Sequence, residues 1–288
     1  MHAATVRDNE IVIDEHRDPE PGPGEVLVRV RAAGINGADI LQRKGGYPAP
    51  PGAPPDIPGL ELAGEVVGLG SRAQRFAEGD RVMAIVGGGG QAELAVVHER
   101  QLMPVPDALD WPAAGGFAEV FTTAEDALFA QANLRPGERL LVHGAAGGVG
   151  TAGVQLGRTT GAQVVATVRN QAARAAVAAL GAEVVAPDGF ADRGPFDVVL
   201  ELVGAPNLPH NLKALNTGGR ISASTLRARP LEEKALAMRR VERHVLPLVE
   251  RGELTVPVAE TFSLDEAARA YGRFEAGGKV GKVVVTFD

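Results

Sequence analysis

The segment that most constrains this chain is Gly144-Ala145-Ala146-Gly147-Gly148-Val149-Gly150. It follows the apolar run Leu140-Leu141-Val142-His143 and leads into Val149, Ala152 and Leu156 at helical spacing. A strand that passes into a helix through glycines leaves backbone N–H groups open to a pyrophosphate, at the end of the helix that carries partial positive charge. The last glycine of such a turn lets the helix lie close against its strand. Gly144, Ala146, Gly147, Gly148, Val149 and Gly150 are therefore the candidate contacts to a dinucleotide. The plain alternative is a tight turn that binds nothing.

Beyond this turn the chain has the pitch of a parallel α/β sheet. Gln163 to Val168 is apolar, Ala172 to Leu180 is an Ala-rich helix ended by Gly181, and Glu183–Ala186 and Asp197–Leu200 are two further strands. Strands and helices in alternation predict a parallel sheet covered on both faces. The second strand runs into Val168-Arg169-Asn170, with no acid where a ribose hydroxyl would need one. Arg169 and Arg174 are the residues to meet a 2′-phosphate, so NADP (NADPH) is expected ahead of NAD; ordinary surface arginines are the other reading. The same glycines satisfy the G-x-x-x-G-x-G turn of short-chain dehydrogenases, but that chemistry needs Tyr-x-x-x-Lys. Tyr47 and Tyr271 are followed four positions later by Pro51 and Glu275.

The N-terminal part has a different grain. Val26–Val30, Ala63–Gly68, Arg81–Val86 and Ala92–Val97 are short strand-like runs bounded by Gly, Pro or Asp, which predicts an antiparallel barrel-like unit. Gly45 to Pro58 is crowded with Pro and Gly and reads as a loop. Near the end, Ser263-Leu264-Asp265-Glu266 has the form of a capping box, and Val283-Val284-Val285 reads as a closing strand that could return to the β unit.

Composition excludes several chemistries. With no cysteine there is no disulfide, iron–sulfur cluster, Cys nucleophile or Cys-ligated zinc. A net charge of −7 gives no general attraction to nucleic acid or anionic membranes, and no apolar run approaches the ~18 residues of a membrane span. Charges stand among the first ten residues where a secretory signal would be apolar, so the expected location is cytoplasmic.

Finer motifs carry a resemblance. Ala33-Gly34-Ile35-Asn36-Gly37-Ala38-Asp39, Gln42-Arg43-Lys44-Gly45-Gly46-Tyr47 before the Pro-rich loop, and Pro58-Gly59-Leu60-Glu61-Leu62-Ala63-Gly64 resemble the zinc-independent quinone oxidoreductases of the medium-chain dehydrogenase/reductase superfamily. Gly88–Ala92 and the Pro-rich loop are similar to the zeta-crystallin and p53-inducible quinone reductase type, and the likeness covers nearly the whole chain.

The resemblance implies a GroES-like β-barrel domain over residues 1–110 and 256–288, and a Rossmann NADP-binding domain over 111–255. It implies metal-free reduction of a quinone or an α,β-unsaturated carbonyl by hydride from NADPH. Zinc-dependent relatives carry Cys where Asn36 stands and His where Leu60 stands, and Glu61 alone cannot hold zinc, so no metal is expected. Tyr47 and Asn36 become the candidate catalytic donors to a developing oxyanion; a loop aromatic and a turn residue are their plain readings. Thr123 is a candidate cofactor contact or a helix-start hydroxyl, and Lys282 a candidate 2′-phosphate contact or a solvated lysine. His143 and Tyr271 read as packed residues.

One departure from the family stands out. Between Gly218-Gly219-Arg220 and Arg227-Ala228-Arg229-Pro230 there is room for one strand where the family has two, so the Rossmann domain is expected to be one strand–helix unit short. In the family the last strand pairs between subunits of a homodimer, and here the sequence leaves the oligomer open. A nucleotide-binding protein without turnover, crystallin-like or degraded, and an enoyl-thioester reductase are the alternatives.

Overall fold

The computed structural model describes residues 1–288. The chain divides into two compact units, one of residues 1–119, 226–277 and 282–288, the other of residues 120–225 and 278–281.

In the first unit, the ten-residue strand Glu25–Gly34 pairs antiparallel with Glu61–Leu69, Leu94–His98 and Lys282–Thr286. These belong to a seven-stranded sheet whose inward positions, among them Val26, Val28, Val30, Leu62, Val82 and Leu102, form a core closed to water. The Pro-rich segment is a loop, as its composition requires. Two elements were not legible in the periodicity. His2–Arg7 and Glu10–Glu15 form a hairpin whose two-residue turn uses Asp8 and Asn9 at φ 50° and 65°. Val258–Ser263 is a strand parallel to Lys282–Thr286, and the latter does return to the β unit by pairing with Glu25–Gly34. The expected capping box at Ser263 is not formed: its side chain makes no capping hydrogen bond, and a 3₁₀ turn, Leu264–Glu266, precedes the helix Ala267–Glu275.

The second unit is built on a wholly parallel five-stranded sheet, in the order Glu183–Val185, Gln163–Thr167, Arg139–Val142, Phe196–Leu200, Leu215–Ser222. That is a doubly wound sheet without its sixth strand. Leu215–Ser222 ends it as an edge, with Arg220–Ser222 beside Val198–Leu200. The expected helix Ala172–Leu180 is instead a 3₁₀ turn, Gln171–Ala173, followed by the single-turn helix Arg174–Ala178.

The compact units differ from the sequence boundary at 111 and 255. Residues 226–255 group with the β unit because helix Leu231–His244 buries Ala235, Ala237, Met238 and Val241. The same helix binds that unit through Arg239 to the carbonyl of Leu102, Glu232 to Arg100 and Glu242 to Arg75. With the sixth strand absent, the chain turns directly into this helix.

Candidate active site

The glycine turn has the geometry of an anion cradle. Gly144, two residues past the strand Arg139–Val142, sits at φ +61°, and Gly147 stands as the N-cap of helix Gly148–Thr159 with extended backbone. The N–H groups of Gly148, Val149 and Gly150, at the head of that helix, make no hydrogen bond within the chain. At Gly150 a Cβ would lie 2.5 Å from the carbonyl oxygen of Gly144 and 2.6 Å from Cα of Ala145, so only glycine fits. Gly153 and Gly157 continue the close approach against Leu200 and Leu140. The turn is also buttressed within its own unit: Gly281 N–H donates to Ala146 O at 2.8 Å.

Of the other expected cofactor contacts, Arg169 is exposed just past strand Gln163–Thr167. Arg174 is half-buried, with Nε donating to Val168 O at 3.1 Å. Thr123 is buried well inside helix Ala118–Glu125, so the helix-start reading of it fails.

His143 is packed, as its place at the end of an apolar run suggested, but it belongs to a polar chain that sequence reasoning missed. Asn211 Nδ2 donates to Glu201 Oε2 at 2.7 Å, so its Oδ1 is the atom 2.8 Å from His143 Nε2. That makes Nε2 the protonated ring nitrogen and Nδ1 the acceptor for the Thr167 hydroxyl at 3.0 Å. Burial lowers the pKa of His143, with Asn211 and Glu201 opposing. Glu201 is held low despite burial by the N–H groups of Gly204 and Val203 and by Asn211.

The β unit contains a second cluster, and it changes the reading of two residues. Lys282, 3% exposed, donates to Glu61 Oε1 at 2.6 Å, to Asn36 Oδ1 at 2.6 Å and to Ile35 O at 3.1 Å. All three ammonium hydrogens are thus spent inside the protein, and the expected 2′-phosphate contact is corrected: Lys282 is an internal counter-ion. Because the ammonium only donates, Asn36 must present Oδ1 to it, which fixes the amide. Nδ2 then donates to Glu61 Oε1 at 3.0 Å and to Gly34 O at 3.3 Å. Asn36 therefore has no hydrogen left for a substrate oxygen, and its expected donor role is corrected to an N-cap and cluster member. Its own N–H donates to Asp39 Oδ2 at 2.8 Å, closing a capping box on helix Gly37–Arg43. Asp39 is fully buried, and burial pushes its pKa up to about 6 against the N–H groups of Asn36 and Gly59.

Tyr47 is half-buried at the start of the Pro-rich loop. Its ring faces Arg227, whose guanidinium carbon is 5.0 Å from the ring centroid. Arg227 is buried and donates to Tyr47 O at 3.1 Å, to Gly87 O at 2.7 Å and to Gln42 Oε1. One arginine thus pins three segments of the β unit around the tyrosine. The sequence held a signal for this only in the Arg227-Ala228-Arg229-Pro230 run.

Two family descriptions match the chain: alcohol dehydrogenase GroES-like domain over residues 22–107, and zinc-binding dehydrogenase over residues 160–285. The quinone oxidoreductase of Mus musculus is 30% identical over 302 residues, covering 93% of this chain and 90% of that protein. The chain belongs to the quinone oxidoreductase family of medium-chain dehydrogenases/reductases. It is an oxidoreductase of that type, with the nicotinamide cofactor, NAD or NADP, of its family. The solved quinone oxidoreductase of Coxiella burnetii has a TM-score of 0.83 and 26% identity, with 99% of each chain covered. A stretch of polyketide synthase GfsB of Streptomyces halstedii is 33% identical over 288 residues, covering 91% of this chain and 5% of that protein.

The zinc in one family description does not fit these residues. Glu61 Oε1 is taken by Lys282 and Asn36, and Oε2 accepts from Glu119 N–H at 2.8 Å. A cation already neutralises the one carboxylate at that position, and Asn36 and Leu60 are not zinc donors. The nicotinamide cofactor does fit, because the glycine turn supplies unspent N–H groups and a position closed to any Cβ. No helix is long and apolar enough to cross a membrane.

Proposed function

We propose that this oxidoreductase reduces a quinone or an α,β-unsaturated carbonyl with NADPH and without a metal ion. The glycine turn, with Gly150 forced to be glycine and the first-turn N–H groups unspent, is the observation that carries the reading. Gly148, Val149 and Gly150 would hold the pyrophosphate, and Arg169 and Arg174 would favour a 2′-phosphate by charge. The reduced nicotinamide supplies the hydride. The chain's own task is to stabilise the negative charge that develops on the acceptor's carbonyl oxygen. Tyr47 is the proposed donor, through Oη, with Arg227 holding its backbone and ring. The occupied state of Glu61 and the missing zinc donors favour a hydrogen bond over a Lewis acid in that role.

The test is a titration of the protein with NADPH and NADH, read by enhancement of nicotinamide fluorescence. Oxidation of the nicotinamide at 340 nm is then monitored with an ortho-quinone, an enone and a crotonyl thioester. Tighter binding of NADPH and turnover of quinone or enone, unaffected by EDTA, is expected. Absence of binding to either nucleotide, or loss of activity to the chelator, would overturn it. The similarity to a stretch of a polyketide synthase favours a second reading, reduction of an enoyl thioester. Turnover confined to the thioester would select it.

A further inference from the structure

The β unit holds a cavity of about 320 Å³ lined by the Pro50–Pro54 loop, Gly87, Gly88, His98, Arg227 and Lys234, among others. That volume lies at the small end of ligand pockets, which run from roughly 300 to 1,000 Å³. Two of its lining cations form no ion pair with a carboxylate. Arg227 is buried, and three of its five N–H groups donate to the neutral acceptors Gly87 O, Tyr47 O and Gln42 Oε1. Lys234 is half-buried on the first turn of helix Leu231–His244, and its ammonium makes no hydrogen bond or ion pair within the chain. Burial and the charge of Arg227 both lower the pKa of Lys234, as unrelieved crowding of two cations must.

One carboxylate, Glu25, shares the wall with them. Glu25 accepts from Gly22 N–H at 2.9 Å, and His98 Nδ1 accepts from Arg100 N–H at 3.2 Å. Arg229, a third cation on the wall, has Nε 4.0 Å from Glu233 Oε2. Asp39 acts on Arg227 by its charge, but it is not part of the cavity wall, and its oxygens accept from the N–H groups of Asn36 and Gly59. Arg227, Arg229 and Lys234 thus outnumber Glu25 on the wall, and such an excess of partly desolvated cations costs stability until an anion enters.

We propose that this cavity binds the carboxylate or phosphate group of a small molecule, with Lys234 and Arg227 as its two charged contacts. The site lies within the β unit and is separate from the glycine turn, so it does not depend on the assignment of NADPH. A neutral quinone would leave that excess of positive charge uncompensated; a small anion balances it.

Calorimetric titration of the full chain with inorganic phosphate alone, and separately with succinate alone, tests this against sodium chloride at equal ionic strength. Saturable binding of at least one of the two anions is expected, and the arm that binds names the chemical group. Lys234→Met should weaken it at least about tenfold, as loss of one charge-assisted contact does. Lys234→Glu should abolish it, while Lys234→Arg and the exposed Lys213→Met should retain it. Lys234 is only half-buried on its helix, and thermal melts verify that each variant folds. No saturable heat beyond chloride, or undiminished affinity in Lys234→Glu, would overturn the proposal. The second result would also catch phosphate bound at the glycine turn instead.

Discussion

Lys282 and Glu61 form an ion pair at 2.6 Å with side chains 3% and 0% exposed, and Asn36 bridges both. Such a pair offsets its own desolvation only while both partners are present. Lys282→Met would leave Glu61 without its counter-charge and Asn36 Oδ1 without its donor. The expected loss is about 3–5 kcal/mol, read as a lower denaturation midpoint. Adding Glu61→Gln to Lys282→Met should cost less than the two single changes summed. Additive losses would mean the pair is not coupled.

Tyr47→Phe removes the proposed donor and keeps the ring against Arg227. Turnover of the quinone or enone is expected to fall about a hundredfold, with NADPH affinity unchanged. An unchanged rate takes Tyr47 out of the reaction.

Gly150→Ala and Gly272→Ala should behave oppositely. At Gly150 the added carbon meets the backbone of Gly144 and Ala145, so helix Gly148–Thr159 must move off its turn, and both stability and nucleotide affinity should fall. At Gly272, inside helix Ala267–Glu275, nothing lies within 4 Å of the new Cβ. There the substitution should stabilise by about 0.4–1 kcal/mol, because it restricts the unfolded chain. Thermal melts and a nucleotide titration of the two variants check both.

Asp39 should titrate at about 6 rather than near 3.8. The folded state then holds this proton more tightly than the unfolded state. Stability from Asp39 is therefore full at low pH and is lost as pH rises from about 4 to about 6. A carboxyl-carbon NMR titration should show an aspartate with that midpoint, absent in Asp39→Asn. A value near 4 would mean the two N–H donors outweigh burial.

His143 should stay neutral to below 6.5, since burial lowers its pKa, with the proton on Nε2. The folded state binds fewer protons here, so the contribution is full above pH 6.5 and is lost as pH falls through the depressed value. Nitrogen NMR of the imidazole reads both tautomer and midpoint. A neutral ring protonated on Nδ1 instead would contradict the hydrogen-bond chain through Asn211.

Much of the architecture was legible because it is written in short-range patterns. The glycine turn, the alternating elements after it and the short barrel strands each show within a few residues, through periodicity and breakers. The hairpin at Asp8-Asn9 was missed because its turn uses positive φ without glycine. The strand Val258–Ser263 was missed because Pro257 and the exposed Ala259, Glu260 and Thr261 give it no apolar face. The domain boundary moved because helix Leu231–His244 has its apolar stripe on display in the sequence, but not the identity of what covers it.

The candidate site divides along the same line. The sequence alone determined a glycine turn between strand and helix, the absence of thiol ligands, the shortened sheet and the candidate residues for catalysis, since each depends on residue type and local spacing. Only the tertiary structure decided what Asn36 and Lys282 do. They stand 246 positions apart, and the donor and acceptor count that commits every hydrogen of both exists only when distant strands bring them together. Hydrogen-bond capacity is finite, so a side chain's role depends on which partners reach it first, and sequence periodicity carries no record of them.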